Sequence, residues 1–256
     1  PGEPKTFNYA LIQEAPNVSH FIHAGLIAEN EKGELEPDLA ESWQFSEDKQ
    51  RIIVTLRQGL KWSDGQPLTV EDVMFSYQEL YFNEKIPLPI RDSFRIGAKG
   101  ALPTIRKLND RQVEFITPEP FAPFLRTTGA AILPAHALRA IVNTKDAKGQ
   151  SQFLTTWGVD TDPNQIVVNG PYRIESYTTS QRLVLRRNPY YWKKDVQGQP
   201  LPYIDRVVWQ IVESSDTGLI QFRSGGLDAL AIGSSSFSLL KREEKRGNFT
   251  IYNGGP

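Results

Sequence analysis

Apolar residues recur along this chain with two different periods. Val70, Val73, Met74, Tyr77, Leu80 and Tyr81 fall on one stripe at helical spacing. Thr69, just ahead of them, can accept a free N–H of the first turn. Glu71 and Asp72 sit where the helix dipole favours negative charge, so the pattern predicts a capped helix. "RIIVTLR" (51–57) alternates instead and is β-branched, which predicts a strand. Between them, Asp64-Gly65 reads as a turn, because Gly tolerates positive φ and Asp can bond its own backbone. "TIRKLNDRQVEFIT" reads as a hairpin over an Asn-Asp turn, and "GPYRIESYTTSQRLVLRRN" as a second hairpin around 178–181. Val18, Phe21, Ile22 and Leu26 predict a helix capped by Asn17; Pro134 opens another through Ala135, Leu138, Ile141 and Val142.

The texture changes towards the C-terminus. "IDRVVWQIV" (204–212) is almost continuously apolar and predicts a strand buried on both faces. A helix in "TGLIQFRSGG" is ended by Gly225-Gly226. "LDALAIG" reads as a buried strand, "SSFSLLKREEKR" as an amphipathic helix and "FTIY" as a last strand. This alternation predicts an α/β unit with parallel pairing over 204–252, beside antiparallel hairpins with a helix over 50–120, and hence two lobes.

With 256 residues and 39% hydrophobic content, the chain can bury about three quarters of its unfolded surface. Lys plus Arg number 29 against 30 Asp plus Glu, a balance that argues against dedicated nucleic-acid binding. The absence of cysteine excludes thiol catalysis, disulfides and thiolate metal sites. No apolar run approaches the ~18 residues that span a membrane. The start at Pro1 rather than Met reads as a processed or trimmed form.

Candidate chemistry is sparse. Asp64, Glu71 and Asp72 could be working acids, but turn formation and capping account for each of them. His20 and His23, three apart on a predicted helix, could share a face and hold a metal, with Glu14 or Glu29 as a further ligand. His136 reads as structural or exposed. "RSGGLD" and "GSSSF" do not form a serine-nucleophile elbow, "GAKG" (97–100) does not form a phosphate loop, and Asp160 and Asp162 sit in a polar loop. Nothing assembles a catalytic set.

The order of several blocks carries a resemblance. "LEPDLAESWQFSEDKQRIIVTLRQGLKWSDGQPLTVEDVMFSY" is similar to the hallmark region of the family 5 extracellular solute-binding proteins, the oligopeptide-, dipeptide- and nickel-binding receptors of ABC importers. The carriers are Ala40 to Trp43, Leu56-Arg57, Trp62 to Gly65 and Thr69 to Val73. "ILPAHAL", "VNGPYRI", "LRRNPYYW", "LPYIDRVVWQIV" and "FRSGGLDAL" follow in the family's order. The resemblance implies an α/β clamshell of the type II periplasmic-binding-protein kind. Domain I would take residues 1–23 and 134–256, a smaller α+β domain II would be inserted at 24–133, and a third domain would follow residue 256, making this an N-terminal fragment. It implies capture of a peptide or similar small solute, delivered to ABC permease subunits by a periplasmic or extracellular monomer, with membrane anchoring as a lipoprotein left open. It implies no catalysis, no cofactor and no nucleic-acid partner. The implied solute contacts are Gln13, Glu14 and Ala15, Arg91 in the domain II loop, and Ile232, Gly233 and Ser234. A metal-chelate receptor of the same family and a carboxylate-based hydrolase are the alternatives.

Overall fold

The computed structural model describes residues 3–12, 18–212 and 214–252. It separates into two compact bodies, residues 3–210 and a smaller one built from residues 211 onward.

Among the described residues, the larger body holds three antiparallel sheets. The first pairs β1 (Ile27–Glu29) with β2 (Leu35–Pro37). The second contains β3 (Ala40–Phe45), β4 (Arg51–Leu56), β5 (Thr104–Lys107) and β6 (Gln112–Ile116) in the order β3-β4-β6-β5. The alternation read in the sequence is that of β4, which buries Ile52, Val54 and Leu56 on one face. Val113 and Phe115 of β6 join them, while Glu114 is buried beside its cross-strand partner Arg106 and ion-paired with it. The β5–β6 hairpin is the predicted one. β3 was not predicted: it lies at the sheet edge, and a bulge between Ala40 and Ser42 breaks its alternation.

Against this sheet lies the helix Val70–Met74, which widens into a π-helical stretch, Phe75–Tyr81. Tyr77, Tyr81, Phe94, Phe115 and Phe124 meet there edge-on or stacked, with centroids 4.8–5.9 Å apart. Each such side chain adds roughly 1.5–3 kcal/mol by leaving water. The Ser76 hydroxyl donates to Asp72 O at 2.7 Å and accepts from Leu133 N at 2.8 Å, and Tyr81 Oη donates to Ala131 O at 2.6 Å, tying the helix to the 131–133 segment.

The third sheet, β7 (Tyr172–Thr178), β8 (Arg182–Arg187) and β9 (Arg206–Gln210), contains the second predicted hairpin. Residues 3–12 lie against its neighbourhood: Phe7 N donates to Trp157 O at 2.8 Å, and Tyr177 Oη donates to Glu3 at 2.9 Å. Two chain segments cross closely near Gly170. A Cβ there would stand 2.5 Å from Ile22 C, and Asn169 binds the main chain of Ala24 through both ends of its amide, at 2.9 and 3.2 Å.

Three expectations are corrected. The helix expected over 18–26 runs only over Ser19–Ile22; His23 is extended, and Leu26 joins the second sheet's neighbourhood through main-chain bonds to Thr128 and Ala40. Its cap Asn17 lies outside the described residues. β9 is not buried on both faces but is a sheet edge, with Val208 exposed. The parallel pairing expected over 204–252 is not present among the described residues: 227–233 and 249–252 form no ladder, since an apolar run becomes a strand only where a partner satisfies its backbone.

The smaller body carries two helices, Ser215–Arg223 and Ser234–Glu243. The first is capped by Ser214 and ends before Gly225, whose φ of +80° is the left-handed stop expected there. Arg223 grips Glu243 through two bonds of 2.7 and 2.9 Å, and Phe222 meets Phe249 edge-on, so the two helices and the segment after them hold one another.

Candidate functional site

The acids of 64–72 resolve into scaffold. The Thr69 hydroxyl accepts from Glu71 N at 3.2 Å, and Asp72 completes a capping box by accepting from Thr69 N at 2.9 Å. Asp72 also accepts from Ala135 N at 2.9 Å and from the Trp62 indole at 3.3 Å, so one buried carboxylate joins the Trp62 turn to two helix starts. Burial raises its pKa, against the pull of those donors. Glu71 pairs with Lys107 at 2.9 Å. Asp64 accepts from Gln66 N at 3.0 Å and meets His136 Nε2 at 2.7 Å, with the His136 ring 6.2 Å from that of Trp62. Every acid in the stretch is engaged, and His136 has the structural place expected of it.

His20 and His23 do not share a face. The helix ends at Ile22, so His23 turns inward while His20 stays exposed. No group of three potential metal ligands is assembled among the described residues. His23 is sealed, neither ring nitrogen has a partner, and burial lowers its pKa from 6.5 to about 3. The edge of its ring meets Tyr9, centroids 5.6 Å apart.

The implied solute contacts are distributed as follows. Gln13, Glu14 and Ala15 lie outside the described residues. Their flanks are anchored: Tyr9–Leu11 forms a 3-10 turn capped by Asn8, whose amide reaches Phe153 O at 3.1 Å, and Val18 is buried. Arg91 points inward. Its guanidinium donates to the carbonyls of Tyr81 (3.0 Å), Leu80 (3.4 Å), Asn83 and Ile86, closing the loop that follows the π-helical stretch. Ile232, Gly233 and Ser234 open the Ser234–Glu243 helix. Gly233 is the N-cap residue with no side-chain cap, it and Ser234 are exposed, and Ser236 N donates to Gly233 O at 3.2 Å.

Two features escaped the sequence reading. Asp38 sits in a half-buried cluster with Arg57, Trp192 and Lys193. Burial raises its pKa from 3.8 to about 6, opposed by Lys193, Trp192 and Arg57. The Arg57 guanidinium lies 4.0 Å over the Trp192 ring and donates to Asp38 O at 2.6 Å. The second is a cavity of about 740 Å³ at one end of the third sheet, lined by Arg173, Arg186, Arg187 and the 188–205 loop. Its sequence signal is the run "LRRN" ending a strand, which is also part of the longer block "LRRNPYYW".

With this geometry in hand, likeness to known proteins is informative. The family model for "Bacterial extracellular solute-binding proteins, family 5 Middle" matches residues 34–255. A "Probable ABC transporter-binding protein" of Deinococcus radiodurans is 30% identical over 230 residues, covering 88% of this chain and 38% of the relative. The periplasmic oligopeptide-binding protein OppA of Salmonella typhimurium is 28% identical over 223 residues, 83% of this chain and 38% of the relative. Among solved structures, the periplasmic binding protein MelB of Agrobacterium fabrum in complex with stachyose aligns with a TM-score of 0.75 at 27% identity, covering 94% of this chain and 38% of that one. NikZ of Campylobacter jejuni in complex with Ni(L-His) has the same TM-score at 22% identity, covering 95% of this chain and 44% of that one, a likeness of fold. The fold is of the α/β type II periplasmic-binding-protein class. The chain thus spans under half the length of these proteins.

Proposed function

This chain belongs to the bacterial extracellular solute-binding proteins of family 5, and we propose that the protein captures a peptide or similar small solute outside the cytoplasm and hands it to the membrane subunits of an ABC permease. The match over 34–255 is the observation that carries the reading. Capture is reversible and involves no covalent step; a receptor of this kind works through a higher affinity of one conformation for the solute.

The domain assignment we favour puts 1–23 and 134–256 in domain I and 24–133 in domain II. In its support, residues 3–12 bond to Phe153, Thr156 and Trp157. The two crossings between the parts also run side by side, with Ile132 N donating to Ala24 O at 3.0 Å. For the solute we retain Gln13, Glu14 and Ala15, whose main chain can pair with an extended peptide independently of its sequence. We also retain Ile232, Gly233 and Ser234, at the start of the Ser234–Glu243 helix. Arg91 acts on the solute through the loop it braces. The metal-chelate alternative gains nothing from His20 and His23, which face apart.

The test is calorimetry on the product of the complete reading frame with a defined set of short peptides, with stachyose and with Ni(L-His). Saturable peptide binding without turnover is the expected result. Binding of stachyose or Ni(L-His) alone would overturn the peptide reading, and hydrolysis of any of them would overturn the receptor reading altogether.

A further inference from the structure

The third sheet carries an unusual row of charge. Its register places Arg173 of β7 opposite Arg186 of β8, and Arg186 opposite Arg206 of β9. Directly paired residues project from the same face, so three guanidinium groups stand side by side, and like charges in such positions repel. Among the described residues, the carboxylate bonded to this row is Glu175. It takes Arg186 at 3.2 Å and Arg206 at 3.1 Å, and the Arg186 bond is the first cause of its lowered pKa. Arg173 is left without an ion pair or side-chain hydrogen bond among the described residues, although it is half-buried.

Arg173 and Arg186 both line the cavity of about 740 Å³. Its remaining walls divide by chemistry. Arg187 lines it while held by Asp205 at 2.8 Å. The side chain of Asn188 is committed to Gly170 O and Tyr190 N, both at about 3 Å, and so acts as frame. Pro189, Tyr191, Pro200 and Leu201 give an apolar side. Three arginines against Asp205 leave the lining with two positive charges in excess. The volume lies within the range of roughly 300–1,000 Å³ of small-molecule sites and is far larger than a bare inorganic ion needs.

We propose that this cavity is a binding site for an organic oxyanion, a phosphate ester or carboxylate whose charged group bridges Arg173 and Arg186 and whose body lies along Tyr191, Pro200 and Leu201. A guanidinium presents parallel N–H donors that match such a group bidentately. Arg173 supplies the free fork, and Arg186, whose Nε–H and one terminal N–H go to Glu175 at 3.2 and 3.4 Å, has its other terminal nitrogen for the ligand. The ligand relieves the repulsion within the row. The site uses none of the residues proposed for the transported solute. The oxyanion can arrive on a soluble metabolite-sized molecule or on a lipid headgroup, since the shared chemistry is the same.

The experiment measures the thermal midpoint and calorimetric binding with glycerol 3-phosphate and with citrate, at ionic strength matched with sodium chloride. A parallel arm measures co-sedimentation with phosphatidylglycerol vesicles against phosphatidylcholine vesicles. Wild type, Arg173→Gln and the exposed control Lys32→Gln are compared. Binding from either source is expected, weakened about tenfold or more by Arg173→Gln, as for loss of a hydrogen bond to a charged group, and unchanged by Lys32→Gln. The arm that responds identifies the source. No binding in either arm overturns the proposal, as does binding that Arg173→Gln and Lys32→Gln weaken equally. Arg173→Gln relieves a like-charge pair and is expected to fold, which its unliganded midpoint checks; should it not, Arg173→Lys, which keeps the charge and loses the fork, must weaken binding, and unaltered binding in that variant overturns the proposal.

Discussion

Two titratable groups with opposite leanings, the buried His23 and the half-buried Asp38, make the stability of the larger body depend on pH. His23 is sealed with both ring nitrogens unpartnered, and burial alone lowers its pKa from 6.5 to about 3. The folded state keeps it neutral where the unfolded chain would protonate it. Its contribution is therefore present above pH 6.5 and is lost as pH falls towards 3, about 5 kcal/mol over the whole interval and about 2 kcal/mol between pH 7 and 5. Asp38 runs the other way. Burial lifts its pKa from 3.8 to about 6, so the folded state keeps a proton that the unfolded chain releases. That contribution is complete below pH 3.8 and is lost as pH rises through 6, about 3 kcal/mol in all, with about 1 kcal/mol regained on going from pH 7 to 5. Asp72, also raised, is common to every variant and cancels in differences. All five tryptophans, at 43, 62, 157, 192 and 209, lie in this body, so urea unfolding followed by Trp fluorescence at pH 5, 6, 7 and 8 reads it directly. The loss of stability from pH 7 to 5 is expected to be about 2 kcal/mol smaller in His23→Leu than in wild type, and about 1 kcal/mol larger in Asp38→Asn. At pH 8, His23→Leu is expected to be as stable as wild type or more so, because an apolar side chain replaces two unsatisfied polar atoms. Equal pH slopes in wild type and His23→Leu would refute the reasoning, since the imidazole would then be titrating as it does in water.

Asp72→Ala removes the acceptor shared by Thr69 N, Ala135 N and the Trp62 indole; urea unfolding at pH 7 is expected to show a loss of about 2–4 kcal/mol. Thr69→Ala, which removes the other half of the capping box, is expected to cost about 0.5–2 kcal/mol in the same assay. Gly170→Ala would drive a Cβ to 2.5 Å from Ile22 C and 2.6 Å from His23 N, main-chain atoms with nowhere to move; its midpoint is expected to fall by the equivalent of about 1–3 kcal/mol or more. Asp64→Ala breaks an exposed pair with His136 and is expected to cost no more than about 1 kcal/mol, with solute affinity measured by calorimetry unchanged.

What the sequence made legible follows from the range of each interaction. The capping box at Thr69–Asp72, the alternation of β4 and the two hairpin turns are decided within a few residues, and periodicity reads such features well. The runs at 204–212 and 227–233 look alike to periodicity, yet the first contributes a strand and the second does not, because only β9 has a neighbour, β8, to take its hydrogen bonds. His20 and His23 were placed on one face by a helical period that stops at Ile22. The resemblance puts Arg91 in a solute-facing loop, and sequence cannot show that carbonyls at four nearby positions converge on its guanidinium. The arginine row is the extreme case. Its members stand 13 and 20 residues apart in the chain, and a slip of one residue in either hairpin would send one of them to the opposite face of the sheet. A charge read singly at any of these positions is a solvated surface residue; their meaning comes from the register that aligns them, and that register goes with the burial of Leu183 and Leu185 on the other face and of Val184 on the arginines' own. The same core packing that fixes the fold therefore also fixes which charges are left to seek a partner outside the chain.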